Sequence, residues 1–369
     1  MKIAYDYQAF TNQSYGGISR YYTDLIKELL KQEQEINIFA GVHRNFYIPL
    51  LPDEVVRGVK LNKYPPKSTW AFQLLNHLIC QIQTQRWKPD IVHETYYSSL
   101  PVLKKNVARI TSVHDMIHEL YPESFSNKDM VTDYKKKTLS RVDHIISVSE
   151  NTKRDLITLF GVDESKISVV HHGVNSSLFQ NIRNNFEFPN KPYLLYVGSR
   201  TSYKNFSGFI NAVASSSLLM KNFNVVVIGG RFSTVEKNLI SSLGFVFDQV
   251  KLISNITDFQ LAQFYSHASA FIYPSLYEGF GLPPLEAMSA GCPVVCSNTS
   301  SIPEVVKNAG VYFNPHDIEE IRNAIERVVF SEDLKKKLVI LGYENIKNFS
   351  PSKCASKTLE VYRKVTGKV

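Results

Sequence analysis

The sequence predicts two α/β domains in tandem, each built on a parallel sheet. Three observations carry this. At 369 residues the chain is long for one domain and comfortable for two. Short apolar runs alternate with helix-period segments, the pattern of strands joined by crossover helices. That alternation breaks once, at an Asn- and Pro-bearing stretch, and then restarts.

In the first half the strand candidates are residues 2–7, 36–40, 90–96, 109–115, 144–150 and 166–173, with helices over 17–31, 70–86, 131–141 and 151–160. The runs are short and apolar, which suits strands covered on both faces. Residues 177–192, SLFQNIRNNFEFPNKP, hold four Asn and two Pro and show no period, so they read as a linker or surface excursion. Strands resume at 193–199, 223–230, 249–254, 268–275 and 293–298. Helices fill 204–216, 234–242, 257–267, 284–290, 317–329 and 333–347, and a last one closes the chain near 355–366. The expected division is 1–178, a linker at 179–192, 193–350, and a C-terminal helix within 351–369 that crosses back to the first domain. Ligands of such sheets sit at the carboxyl ends of strands, so the expected site is a deep cleft between two facing domains.

Composition narrows the class. Hydrophobic residues are 44% and charged residues 21%, which is ordinary for a globular protein with a real core. No stretch reaches the roughly 18 apolar residues of a membrane span. The first residues, MKIAYDYQAF, enter a strand-like run without an apolar leader, giving an expectation of a cytoplasmic protein. Cys80, Cys292, Cys296 and Cys354 form no C-x-x-C pair and read as small core or surface residues. The net charge is +8, scattered through runs such as Lys135–Lys137 and Lys335–Lys337. With no nucleic-acid motif beside it, that charge suits an anionic membrane surface, a lipid-linked substrate, or plain solvation. Tyr21, Tyr22, Tyr96 and Tyr97 are the aromatics read with it as a membrane-facing surface.

Three segments carry chemistry. Gly16 and Gly17 follow the first strand and open a helix, so backbone N–H groups there could meet a phosphate or a sugar hydroxyl; a plain turn explains them as well. They do not make a dinucleotide fingerprint. Arg200 and Lys204 follow the first strand of the second domain. Two fixed cations suit a diphosphate whose charge grows as a bond breaks; solvated loop cations are the alternative. In YEGFGLPPLEAMSAGCPVV, Glu278 and Glu286 stand eight residues apart, with glycines for a tight loop and prolines for a helix start between them. Two carboxylates suit the hydroxyls of an elongated ligand, while a capping role explains Glu286 alone. His114 and Asp115 end a strand, as do His93 with Glu94, and His171 with His172; His118 and Glu119 follow in a loop. His93 and His171 read as satisfied strand-end histidines. The separate strands and loose spacing argue against a metal site.

Together these motifs resemble the retaining glycosyltransferases of family 4, with the GT-B fold of two facing Rossmann-like domains. The resemblance rests on GGISR at 16–20, HDMIHELYPESF at 114–125, SVSENTKRDL at 147–156, HHGV at 171–174, GSRTSYKN at 198–205 and the glutamate segment at 277–295. It implies a metal-independent enzyme that needs no cofactor and uses a nucleotide-diphosphate sugar as donor. Gly16 and Gly17 would approach the donor phosphates and sugar, and His114 the sugar near its anomeric centre. Arg200 and Lys204 would clamp the diphosphate. Glu278, with the loop groups of Phe280 and Gly281, would hold the sugar, and Glu286 the ribose. One departure is Lys204-Asn205, where the family often has Lys-Gly. No carboxylate nucleophile is evident, so the resemblance implies a front-face mechanism in which the leaving phosphate oxygen helps remove the acceptor proton.

The segment at 113–125 resembles bacterial polysaccharide and O-antigen mannosyltransferases, which makes GDP-mannose the expected donor, ahead of a UDP-hexose or UDP-N-acetylhexosamine. Backbone groups around Ser254–Thr257 would read the base. The acceptor would be a saccharide or lipid-linked saccharide on the first domain, near generic aromatics and His118, in cell-surface polysaccharide or lipopolysaccharide synthesis. Peripheral contact with an anionic inner membrane face goes with it, and nucleic acid is not an expected partner. The residues alone leave open a nucleotide-sugar epimerase or hydrolase, or a two-lobed sugar-binding protein.

Overall fold

The computed structural model describes residues 1–101, 107–179, 191–246 and 248–368. The chain divides into two compact units. The first holds Met1–Glu119, Phe125–Gly173 and Pro351–Val369; the second holds Leu120–Ser124 and Val174–Ser350. The short segment Leu120–Ser124 therefore leaves the unit in which the sequence order places it. Its Ser124 hydroxyl lies 2.8 Å from that of Ser202, and the Tyr121 ring lies 5.6 Å from that of Tyr203. Most of the expected linker, residues 180–190, lies outside the described residues.

The first unit carries a seven-stranded sheet of β1 (Lys2–Tyr5), β2 (Glu35–His43), β3 (Val56–Lys60), β4 (Ile91–Glu94), β5 (Ala108–Val113), β6 (His144–Ser147) and β7 (Ile167–Val169). Its order is β3-β2-β1-β4-β5-β6-β7, and every pairing is parallel. The order reverses between β1 and β4. Sequence reading missed β3: its residues are half-buried or exposed at a sheet edge, so no apolar pattern marks them. Ser149 ends the β6 run early because its hydroxyl caps the helix Glu150–Phe160, accepting from the Thr152 N–H at 3.0 Å.

The second unit carries a six-stranded sheet of β8 (Tyr193–Val197), β9 (Asn224–Ile228), β10 (Val250–Ile253), β11 (Ala270–Tyr273), β12 (Val294–Ser297) and β13 (Gly310–Phe313). It is also all parallel, in the order β10-β9-β8-β11-β12-β13, and reverses between β8 and β11. The four-residue edge strand β13 is the one missed here.

Each sheet has its own apolar core. In the first unit, Ile3, Ile38, Ile91 and Ile110 of the sheet pack with Tyr22, Leu25, Ile26 and Leu29 of the helix Gly17–Lys31. The C-terminal helix Pro351–Thr366 joins that core through Cys354, Ala355, Leu359 and Tyr362. The Tyr362 hydroxyl lies 2.9 Å from that of Tyr5 and 2.7 Å from His93 Nδ1. All four cysteines are buried free thiols.

Two surface expectations change. Tyr21, Tyr22 and Tyr97 are buried side chains of the first unit, so they offer no aromatic face to a membrane. Lys135 is not surface charge either. It is 1% exposed and donates to Glu119 Oε2 at 2.7 Å and to the Asp115 carbonyl at 2.9 Å.

Candidate active site

The second unit assembles its candidate residues where its strand order reverses. Crossover connections leave β8 and β11 in opposite directions, which opens a crevice at the carboxyl ends of these strands. The loop after β8 carries Arg200 and Lys204. The loop after β11 carries Glu278, Phe280 and Gly281. Lys204 Nζ donates to Glu278 Oε1 at 2.6 Å and so ties the two loops together. Lys204 also lies 5.9 Å from the Tyr273 ring centroid.

The Glu278 loop is held from behind. Its N–H donates to Ser300 Oγ at 3.0 Å, and the Ser301 hydroxyl donates to the carbonyls of Glu278 and Phe280, both at 2.8 Å. Glu278 is buried, 7% exposed. Gly281 has φ +108 and caps the helix Leu282–Ser289, whose first turn takes the prolines. A Cβ there would meet only Tyr273 Cε1 at 3.9 Å, so backbone conformation and not space calls for glycine. The Phe280 ring is 4% exposed and packs on Phe349 at 5.8 Å, which leaves the backbone of Phe280 as its group for a ligand. Glu286 is half-buried on this helix, and the Tyr265 hydroxyl lies 3.4 Å from its Oε2.

Arg200 takes different partners from Lys204. Its Nε donates to Glu236 Oε1 at 2.6 Å, and Nη2 donates to the carbonyls of Gly230 and Arg231, both at 2.8 Å. Its Nη1 is buried without a hydrogen-bond partner among the described residues. Gly229 makes room for it, since a Cβ there would stand 3.0 Å from Nη1 and 2.5 Å from the Gly198 carbonyl oxygen. Partial burial would raise the Glu236 carboxyl, but the hydrogen bonds from Ser233 and from Arg200 outweigh it and hold the group below its ordinary range. Sequence reading missed Glu236: it lies in the later helix Thr234–Ser242, where its capping box with Ser233 marks a helix start and gives no sign of the site.

The Lys204-Asn205 departure has a structural account. Asn205 adopts φ +51, the left-handed region that glycine enters freely and asparagine tolerates. Its side chain caps the helix Phe206–Ala214 by accepting from the Gly208 N–H at 3.2 Å, and its Nδ2 donates to the Pro315 carbonyl at 2.7 Å. Ser254 follows β10 and donates to the Gly229 carbonyl at 2.5 Å, while Thr257 caps the helix Asp258–His267.

In the first unit, Gly16 precedes the helix Gly17–Lys31 in an extended conformation. A Cβ on it would strike Gln13 Oε1 at 2.5 Å, the oxygen that accepts the Ser19 N–H at 3.0 Å. A Cβ on Gly17 would meet nothing within 4 Å, so the backbone there is open to approach. His114 follows β5. Its ring stacks on His172 at 5.4 Å and meets Tyr21 edge-on at 5.1 Å. Its Nε2 is buried without a partner among the described residues. Burial, with His93 and Lys135 adding to it, pulls its imidazole down to about 3, so the ring is neutral at ordinary pH. A neutral ring can exchange a hydrogen bond with a hydroxyl but is a poor proton donor. His93 is a core histidine, held 2.7 Å from the Tyr362 hydroxyl and 3.0 Å from that of Ser112. His118 stacks on Phe125 at 3.8 Å and bonds Asp129 through Nδ1.

The reversal between β1 and β4 holds a cavity of about 350 Å³, which sequence reading did not find. Tyr7, Tyr96, Tyr134, Gln73, His77 and Asp129 are among its lining residues. They come from separate elements and share no local motif. Among the described residues, no group of three His, Cys, Asp or Glu side chains could hold a metal ion.

Two family profiles match the chain in tandem: Glycosyltransferase Family 4 over residues 15–178 and Glycosyl transferases group 1 over residues 179–345. The chain is 30% identical over 236 residues to the O-antigen chain mannosyltransferase RfbU of Salmonella typhimurium, covering 63% of this chain and 64% of that protein, just under two thirds of its length. It is 26% identical over 371 residues to the O-antigen chain mannosyltransferase B of Escherichia coli, covering 94% of this chain and 96% of that one. Among solved structures, the sucrose-phosphate synthase of Thermosynechococcus elongatus superposes with a TM-score of 0.79 at 21% identity, covering 99% of each chain, which shows the shared fold.

Proposed function

Matched by glycosyltransferase profiles from residue 15 to residue 345, the chain belongs to the GT-B glycosyltransferases acting on nucleotide-sugar donors, and we propose that it is a retaining mannosyltransferase. The proposed donor is GDP-mannose, and the acceptor is a saccharide or lipid-linked saccharide of a cell-surface polysaccharide. The carrying observation is the Lys204–Glu278 pair, 2.6 Å between Nζ and Oε1, at the β8/β11 reversal. It sets a cation and a hydroxyl acceptor side by side, as a sugar joined to a diphosphate requires.

In this reading Lys204 and Arg200 face the diphosphate. Negative charge grows on the leaving phosphate as the glycosidic bond breaks, and fixed cations stabilise it most at that moment. Glu278 accepts a hydroxyl of the transferred sugar, and Glu286 accepts from the ribose. The backbones of Phe280 and Gly281 complete the sugar contacts. The open backbone at Gly17, beside Gly16, approaches the donor. Neutral His114 exchanges a hydrogen bond with the sugar and leaves proton transfer to the departing phosphate oxygen, which takes the acceptor proton on the face where the new bond forms. The aromatic and amide lining of the β1/β4 cavity supports an acceptor sugar there, since flat rings cover sugar faces and amides bind hydroxyls. The mannosyl choice is supported by two relatives that are themselves O-antigen chain mannosyltransferases. Proton NMR of the product from GDP-mannose tests the stereochemistry. Retention is expected, and inversion of the anomeric centre would refute it.

A further inference from the structure

We infer that the outer face of the helix Thr69–Trp87 is a docking surface for an anionic lipid bilayer. The helix buries Asn76, His77, Cys80 and Thr84 on its inner side. On the opposite side Trp70, Leu74, Leu78 and Ile82 recur every fourth residue, joined by Leu75. These five side chains are 44–68% exposed. Four-residue spacing sets them along one stripe of the helix. A helix facing water places polar residues on that stripe; here large apolar ones lie in a continuous row, which marks an interaction surface.

Charge identifies the occupant. From residue 55 to residue 89 the chain has six basic residues, Arg57, Lys60, Lys63, Lys67, Arg86 and Lys88, and no acidic one. All six are exposed. An apolar stripe on a segment whose cations, before, on and after the helix in sequence, have no acidic residue among them fits an interface where acyl chains lie under anionic headgroups, and the tryptophan suits the boundary between them. An apolar protein partner would ask for no such excess of one sign. The surface also adjoins a site already described. Leu74 of the stripe lines the β1/β4 cavity, and so do Leu100 and Met130, themselves exposed. A lipid-linked saccharide could therefore keep its lipid in the bilayer and present its sugar to that cavity. The inference deepens the lipid-linked acceptor reading and rests on it for its purpose; the binding itself is measured without donor or acceptor, so the two fail separately.

The test is co-sedimentation with vesicles of phosphatidylcholine alone and of phosphatidylcholine with phosphatidylglycerol, at low and high salt. The expected result is binding to the anionic vesicles that weakens with salt. The double variant L78S/I82S should lose about tenfold or more in partition, because two apolar side chains no longer enter the lipid. Its melting temperature and its donor hydrolysis should match the parent. A second readout needs no stripe variant. Trp70 and Trp87 are the two tryptophans, so a W87F protein reports Trp70 alone, and its emission should shift to the blue on adding anionic vesicles. Equal binding to neutral and anionic vesicles, unchanged binding of a folded L78S/I82S, an unshifted Trp70, or a dimer that the double variant converts to monomer would each overturn the proposal.

Discussion

Lys204 and Glu278 form a partly buried ion pair, 2.6 Å between Nζ and Oε1, that joins the loops leaving β8 and β11. Replacing Lys204 with Ala removes a fixed cation from the growing phosphate charge. Losing one oriented transition-state donor costs about 3–4 kcal/mol, or roughly 100- to 1,000-fold in kcat. Steady-state kinetics on Lys204→Ala check this, and near-normal turnover would contradict the role.

Arg200 is expected to show two effects. Arg200→Ala should lower kcat roughly 100-fold, and it should also lower the melting temperature, because Glu236 loses its cation and the carbonyls of Gly230 and Arg231 lose their donor. Kinetics normalised to folded protein separate the two. A fall in melting temperature with unchanged turnover would make Arg200 purely structural.

Activity should survive chelation. With Arg200 and Lys204 proposed to carry the charge of the leaving diphosphate, a divalent ion has no assigned task. Turnover after EDTA treatment and desalting should equal that of the untreated enzyme. Loss of activity that magnesium or manganese restores would contradict this.

Buried histidines make the fold acid-sensitive. Burial holds His93 and His114 down to about 3, His43 and His144 to about 4, and His172 well below its ordinary value. The unfolded chain takes up a proton at each as pH falls through about 6.5, whereas the folded chain does not. Their stabilising contribution is present above about 6.5 and is lost as pH falls toward the folded values. Glu94, raised by burial to about 7, and Asp6, raised by burial as well, act with the opposite sign, but they are two groups against six, since burial lowers His77 too. The melting temperature should therefore be lower at about pH 5 than at about pH 7. A flat or rising profile would contradict it.

The fold was legible where local pattern and burial agree. The strand positions of β1, β8 and β11 and the helix Gly17–Lys31 all announce themselves by apolar spacing. Edge strand β3 did not, because its residues are half-buried or exposed, and β13 did not because its four residues, although Val311 and Phe313 are buried, make too short a run to stand out. Of the candidate site, Glu278 and Glu286 were legible because glycines and prolines punctuate the chain between them, and Lys204 because it follows an apolar strand with Arg200 close by. The partners Glu236, Ser300 and Ser301 were not, since they meet the site only after the chain has folded through separate crossovers. The tyrosines misled as surface signals because composition does not say which face a ring takes. Tyr22 and Tyr97 lie in the core, while the exposed apolar row on Thr69–Trp87 lies within a segment read only as a helix over 70–86.

The central claim is that the second unit binds a nucleotide-sugar donor through Lys204, Arg200, Glu278 and Glu286, and that this donor is GDP-mannose. A donor panel tests it most directly: GDP-mannose, UDP-glucose, UDP-galactose, UDP-N-acetylglucosamine and dTDP-rhamnose, each scored by turnover and by thermal shift. A ligand that binds the folded state raises the melting temperature according to its affinity and concentration. The account predicts that GDP-mannose gives the largest shift and is turned over, and that Lys204→Ala diminishes both effects. A UDP-sugar that is both the best stabiliser and the only donor turned over would contradict the mannosyl assignment, and no response to any sugar nucleotide would contradict the donor site itself.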